Sequence, residues 1–246
     1  MSVAEKLQTI AENEQKVYDA GKKSEHDEFW DCYQNKGKRT TYYRAFYGQG
    51  FCSKNFYPKY DICPVGDTTQ IFYAWETINT GTKFSLKERL EECGVVLDTS
   101  KATSLSSAFA YNKIITEIPT IDVTGLTTSS TVVFGHSSDT LKTIEKIITK
   151  DSVTYVWWFT TLPRLANITI EGVIGRTFDI SSSSVLTADS AKSIITHLKN
   201  YKGTENELTY SVLFHANVWA KLDAEGNASP NGNTWAEYVD DLGWLT

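Results

Sequence analysis

No stretch of this 246-residue chain approaches the roughly 20 consecutive apolar residues that a membrane-spanning helix needs, so insertion into a bilayer is not expected. Basic residues fall equally short of what a nucleic-acid partner requires. The net charge is −6, and Lys and Arg occur in nothing longer than pairs such as Lys22-Lys23, whereas a phosphate backbone calls for a basic stripe. Residues 1–20 carry Glu5, Lys6, Glu12, Glu14 and Lys16 among their apolar positions. That leaves no apolar centre for a secretory signal, and synthesis in a cytoplasm is expected. Cysteine is sparse: Cys32, Cys52, Cys63 and Cys93 stand 20, 11 and 30 residues apart, which fits neither a zinc site nor a redox motif. They read as independent thiols that pack as small hydrophobes.

Catalytic signatures are missing too. His26, His136, His197 and His215 lie in unrelated segments with no His-Xaa-Xaa-Xaa-His spacing, and no Gly-Xaa-Ser-Xaa-Gly elbow is present to expose a nucleophilic serine. Glu88, Glu91 and Glu92 crowd one short predicted helix, the pattern of a solvated face more than of a glycosidase carboxylate pair. The chain is therefore expected to have no enzymatic activity and to use no metal and no cofactor.

What the sequence does contain is a period. Phe109, Phe134 and Phe159 recur at a step of 25, and each is followed nine or ten residues later by Ile118, Ile144 or Ile168. A unit of that length is too small to bury its own apolar face, so copies must stack and share one core, which predicts an α/β solenoid. Phe72 and Phe46 continue the series backwards, the longer interval from Phe72 to Phe109 being filled by a helix over 85–94 with Ser85 as its cap and Gly94 as its stop. Short alternating segments such as Asn167-Ile168-Thr169-Ile170 predict one half-buried strand per unit, stacked as a parallel ladder.

The flanks differ in character. Val3, Leu7, Ile10 and Val17 follow steps of three and four when Glu14 is counted in the seam, which predicts a helix in need of a partner and an oligomerisation role for those four residues. After Gly175 the period is lost. A helix over 188–200 is expected, capped by Thr187 with Ala191, Ile194, Ile195 and Leu198 as its buried stripe. A strand over 208–214 follows, then two short helices, the last opened by Thr234 and Glu237 and followed by Trp244 as an anchor. Three regions result: a helical N-terminal segment over 1–38, the stack over 39–176, and an α/β cap over 177–246.

Ser107-Ala108-Phe109, residues 140–148 and Leu165-Ala166-Asn167-Ile168-Thr169-Ile170-Glu171-Gly172 resemble the BspA-like leucine-rich repeat proteins, whose units join an Ala-Phe pair, a Leu-Xaa-Xaa-Ile and a strand. Residues 11–30 and 193–244 resemble the variety found in phages and prophages of gut Firmicutes. The resemblance implies a short leucine-rich-repeat stack and a component of a phage particle, a tail or surface-recognition protein, reaching the virion after cytoplasmic synthesis. It implies as partners a bacterial surface component or neighbouring virion proteins; a bacterial cell-surface adhesin and a glycan-acting hydrolase stand as alternatives. The family has no shared catalytic motif, so binding residues have to be sought on the surface. Two sets qualify. Tyr155, Trp157 and Trp158 offer rigid ring area, with at most one of the tryptophan pair expected in the core if that segment is extended. Glu117, Thr143, Glu145, Asn167 and Thr169 are expected to face away from the apolar layer of the strands.

Overall fold

Residues 167–171 alternate buried Ile168 and Ile170 with exposed polar side chains and form the strand that a period of two predicts, whereas Ile115 and Ile118, and Ile144 and Ile147, stand three apart in strands that depart from strict alternation. The computed structural model describes residues 57–58, 61–72, 83–127, 130–136, 140–224 and 228–246. The predicted helix over 1–38, with Val3, Leu7, Ile10 and Val17, lies outside the described residues, as does Phe46.

The described chain is mixed α/β, and every strand pairing in it is parallel. In chain order the strands are β1 (Gly66–Asp67), β2 (Phe84–Ser85), β3 (Ala102–Ser104), β4 (Ile115–Ile118), β5 (Ile121–Asp122), β6 (Thr143–Ile148), β7 (Asn167–Glu171), β8 (Phe178–Asp179) and β9 (Val212–Leu213). The main sheet sets β2 against β4, β4 and β5 against one edge of β6, and β7 against the other. Its register is that of neighbouring repeats: Glu117 lies opposite Thr143 and Thr143 opposite Asn167, with Ile118, Ile144 and Ile168 aligned beside them. Between β6 and β7 the register slips, since Ile144 faces Ile168 while Ile147 faces Ile170, a bulge on the β6 side. Pro119, which has no N–H to give a ladder, separates β4 from β5.

Behind the strands runs a column of rings. Phe72 lies 5.0 Å from Phe109, Phe109 lies 5.7 Å from Phe134, and Phe134 lies 5.6 Å from Phe159, all nearly parallel; Phe159 then meets Phe178 at 5.2 Å. The backbone around them is stitched between successive repeats, Phe72 N–H to Ala108 C=O, Phe109 N–H to Val133 C=O and Phe134 N–H to Trp158 C=O. Two further backbone features share the step. Ser107, Val132 and Trp157 have φ of 53°, 54° and 68°, and Tyr111, His136 and Thr161 have φ of 58°, 61° and 58°. Left-handed backbone is costly for any residue with a Cβ, so its recurrence every 25 residues marks a demand of the turn shape itself.

The helices are α1 (Leu86–Cys93), α2 (Ala188–Ile195), α3 (Ala216–Ala224) and α4 (Trp235–Asp241). Ser85 caps α1 by accepting from Glu88 N–H, and Gly94 ends it in the left-handed conformation, as the sequence predicts. Thr187 caps α2, which stops at Ile195 and not near 200, because the chain turns at Thr196 to bring Leu198 into a parallel bridge with Ile174. In β7, Ile168 and Ile170 N–H groups are taken by Ser190 Oγ and Ser193 Oγ, each at 2.9 Å, so α2 covers a strand edge that would otherwise be open to pairing. The strand expected over 208–214 is reduced to Val212–Leu213, since Leu208 takes a left-handed turn conformation. Thr234 and Glu237 form the reciprocal box at α4, and Trp244 is buried with its indole N–H on Lys199 C=O.

Sequence periodicity ends near 175, but parallel pairing does not. Tyr155 bridges Phe178, Phe178 faces Val212, and Ser211 bridges Leu245. One continuous apolar cluster accordingly runs from Ile62 to Trp244.

Candidate binding surface

Alternation along β7, and the bulge in β6, send Ile144, Ile147, Ile168 and Ile170 inward and leave Glu145, Asn167 and Thr169 exposed, with Thr143 half-buried. Glu117 on β4 is half-buried. The five polar candidates therefore share one face. Glu117, Thr143 and Asn167 form a row across three strands, one residue per repeat. Two of the five are already engaged: Glu117 Oε2 accepts from Ser85 Oγ at 2.8 Å, and Glu145 Oε2 accepts from both the N–H and the hydroxyl of Thr120 at 3.1 Å. These bonds fix the carboxylates, while Asn167 and Thr169 are held only through their backbone. Nearby, Lys146 pairs with Glu171 at 2.7 Å across the bulge, so the face carries both signs of charge.

The aromatic candidates separate sharply. Tyr155 and Trp158 are withdrawn as contact residues, for both are wholly buried. Trp158 packs edge-on to Phe134 and Tyr155 and gives its indole N–H to Ser130 C=O at 2.8 Å, and Tyr155 lies 5.0 Å from Phe178. Burial pushes the Tyr155 phenol well above its ordinary range, and its oxygen accepts from Lys150 N–H at 3.2 Å. Trp157, by contrast, is 61% exposed. Residues 156–161 are a turn and not a strand, so the division between the two tryptophans comes from the left-handed φ of Trp157, which throws its side chain out of the ring column.

Beside Trp157 lies an open groove of about 450 Å³, walled by residues 157–163 on one side and 179–182 on the other. It forms where serine hydroxyls locally replace backbone-to-backbone stitching. Tyr111 and His136 N–H groups each reach a carbonyl one repeat on, Gly135 and Thr160; beyond residue 160 serine hydroxyls take over, with Ser182 Oγ accepting from Leu162 N–H and donating to Phe159 C=O. Asp179, on the far wall, is fixed through one oxygen: Oδ1 accepts from Ser181 N–H at 3.0 Å and Ser181 Oγ at 2.7 Å. Asp179 escaped the sequence reading although a signal existed. Asp67-Thr68-Thr69, Asp122-Val123-Thr124 and Asp179-Ile180-Ser181 all close the same turn, in which the aspartate accepts from the residue two positions on.

The remaining chemical candidates have plain structural partners. Glu91 pairs with Lys87 at 2.5 Å and Glu92 with Arg89 at 3.2 Å along the outer face of α1. His136 stacks on Tyr111 at 4.6 Å, and His197 Nδ1 lies 2.7 Å from Ser193 C=O. Burial raises the half-buried Cys93 thiol above its ordinary value. Among the described residues no group of three His, Cys, Asp or Glu side chains could hold a metal ion, and no helix is long and apolar enough to cross a membrane. Comparison of the chain with protein-family models, curated proteins and solved structures returns no match.

Proposed function

We propose that the chain is a short leucine-rich-repeat solenoid acting as a non-enzymatic recognition or structural protein, whose outward strand face and adjoining groove contact a partner. The observation that carries this reading is the row Glu117, Thr143 and Asn167: three polar side chains set one repeat apart on backbone held rigidly by parallel pairing. A surface built this way is ordered before the partner arrives, which lowers the entropy lost on contact. Resemblance in sequence adds the setting, a phage or prophage particle that engages a bacterial surface or neighbouring virion proteins.

The setting is tested by inducing lysis in a culture of the organism that encodes the chain and banding the released particles in a density gradient. Mass spectrometry should find the protein co-migrating with intact particles. Recovery only at the tops of gradients would contradict a virion role, and protease-sensitive protein on uninduced cells would favour the adhesin instead.

A further inference from the structure

We propose that the groove between residues 157–163 and 179–182 is a saccharide-binding subsite, with the Trp157 indole as the stacking platform for a sugar ring and Asp179 as the acceptor that orients its hydroxyls. The inference rests on the recognition reading above and names a ligand class for it.

Trp157 is surplus to the scaffold. The equivalent positions one and two repeats earlier hold Val132 and Ser107 in the same left-handed conformation, so the turn demands only a residue that tolerates positive φ. Neither Val nor Ser offers a planar face. An indole 61% exposed at this one copy contributes nothing to the ring column behind it, yet it walls the groove. The volume of about 450 Å³ falls among those of small-molecule sites.

The polar lining decides the class of ligand. Asp-Xaa-Ser/Thr turns occur at Asp67 and Asp122 too, so the turn by itself is structural. Among the described residues, only at Asp179 does such a carboxylate share a groove with an exposed indole. Because Oδ1 is occupied by Ser181, the carboxylate is held in place and Oδ2 remains to accept from a ligand. Ser181 Oγ donates to Asp179 and Thr160 Oγ1 donates to Trp157 C=O, so both hydroxyls keep lone pairs for an incoming O–H. Thr161 and Ser182 extend the hydroxyl lining. One apolar face beside a fixed carboxylate and several hydroxyl acceptors matches a molecule with one C–H face and a rim of O–H donors, which is a pyranose. A quaternary ammonium ligand is recognised by a cage of several aromatic rings, and the exposed ring here is single.

The test screens the intact chain on an array of bacterial glycans, including peptidoglycan fragments and rhamnose-, glucose-, galactose- and N-acetylglucosamine-containing oligomers, and follows hits by calorimetric titration. Wild-type protein should bind at least one saccharide. Trp157→Ala should weaken that binding by about tenfold or more, Asp179→Asn by a smaller factor, and Trp157→Tyr should retain most of it. The exposed position of Trp157 predicts an unchanged unfolding midpoint for its variants, which separates lost contact from lost fold. Should Trp157→Ala unfold the chain, Asp179→Asn carries the test alone. Absence of any saccharide hit, preference for choline over sugars, or full affinity in both variants would overturn the proposal. Co-migration with particles in the absence of saccharide binding would sink this inference and leave the recognition role standing.

Discussion

Phe134→Ala is expected to lower the unfolding free energy by about 3–5 kcal/mol, the range for removing a large buried aromatic side chain. Its ring is wholly buried between Phe109 at 5.7 Å and Phe159 at 5.6 Å, with Trp158 edge-on at 6.1 Å. Alanine would leave a gap bounded by three rings whose backbone is held in place by the bonds from Phe109 to Val133 and from Phe134 to Trp158, so the segments cannot close over it without losing those bonds. In the proposed solenoid, units touch only their neighbours, so a break at the centre uncouples both sides. Total stabilities of about 5–15 kcal/mol are usual for a folded domain, so this one substitution should remove roughly a fifth of the margin or more. Urea unfolding with and without the substitution measures it, and a loss below about 1 kcal/mol would mean that the ring column is not structural.

Gly125→Ala should be the next most damaging change, for a different reason. A Cβ at Gly125 would sit 2.2 Å from Ser100 O and 2.9 Å from Ala102 O, and one at Gly175 would sit 2.3 Å from Asp151 O. In each case the nearest obstacle is backbone of the preceding repeat, so no side-chain rotation relieves the clash and neighbouring segments must move apart. Positions 125 and 175 are two repeat lengths apart, and the position between them holds Lys150, so this close approach belongs to these two corners and is not repeated in every unit. The expected cost is about 3 kcal/mol for either glycine, at the upper end for overpacking. Gly94 is the comparison: its φ is +65° and a Cβ there meets nothing within 4 Å, so Gly94→Ala should cost only about 1–2 kcal/mol for left-handed backbone. The reverse order of midpoints in thermal unfolding would contradict the close approach at Gly125.

These effects sort what the sequence could reveal from what it could not. Phe109, Phe134 and Phe159 were visible as a period because ring packing fixes residue type at those positions, and the caps Ser85, Gly94, Thr187 and Thr234 were visible because capping chemistry accepts few side chains. The left-handed rows at 107, 132 and 157 and at 111, 136 and 161 were hidden, since the repeat dictates backbone conformation there and accepts Ser, Val, Trp, Tyr, His or Thr. That is also why Trp157 and Trp158 could not be told apart in advance: adjacency assigns opposite faces in a strand, but this segment turns. Of the candidate surface, Asn167 and Thr169 followed from strict alternation and Glu117, Thr143 and Glu145 from their pairing neighbours in the strands, whereas the groove depends on where serine hydroxyls interrupt backbone stitching, which only the folded arrangement defines.

Order along the ring column is the claim on which the rest stands, and double-mutant cycles with Phe→Leu substitutions test it most directly. Neighbouring pairs, Phe109 with Phe134 and Phe134 with Phe159, should show coupling of about 0.5–1.5 kcal/mol, while Phe109 with Phe159, separated by the Phe134 ring, should be additive within about 0.5 kcal/mol. Coupling that ignores this order, or that is absent from the neighbouring pairs, would contradict a stack of repeats and the display surface built upon it.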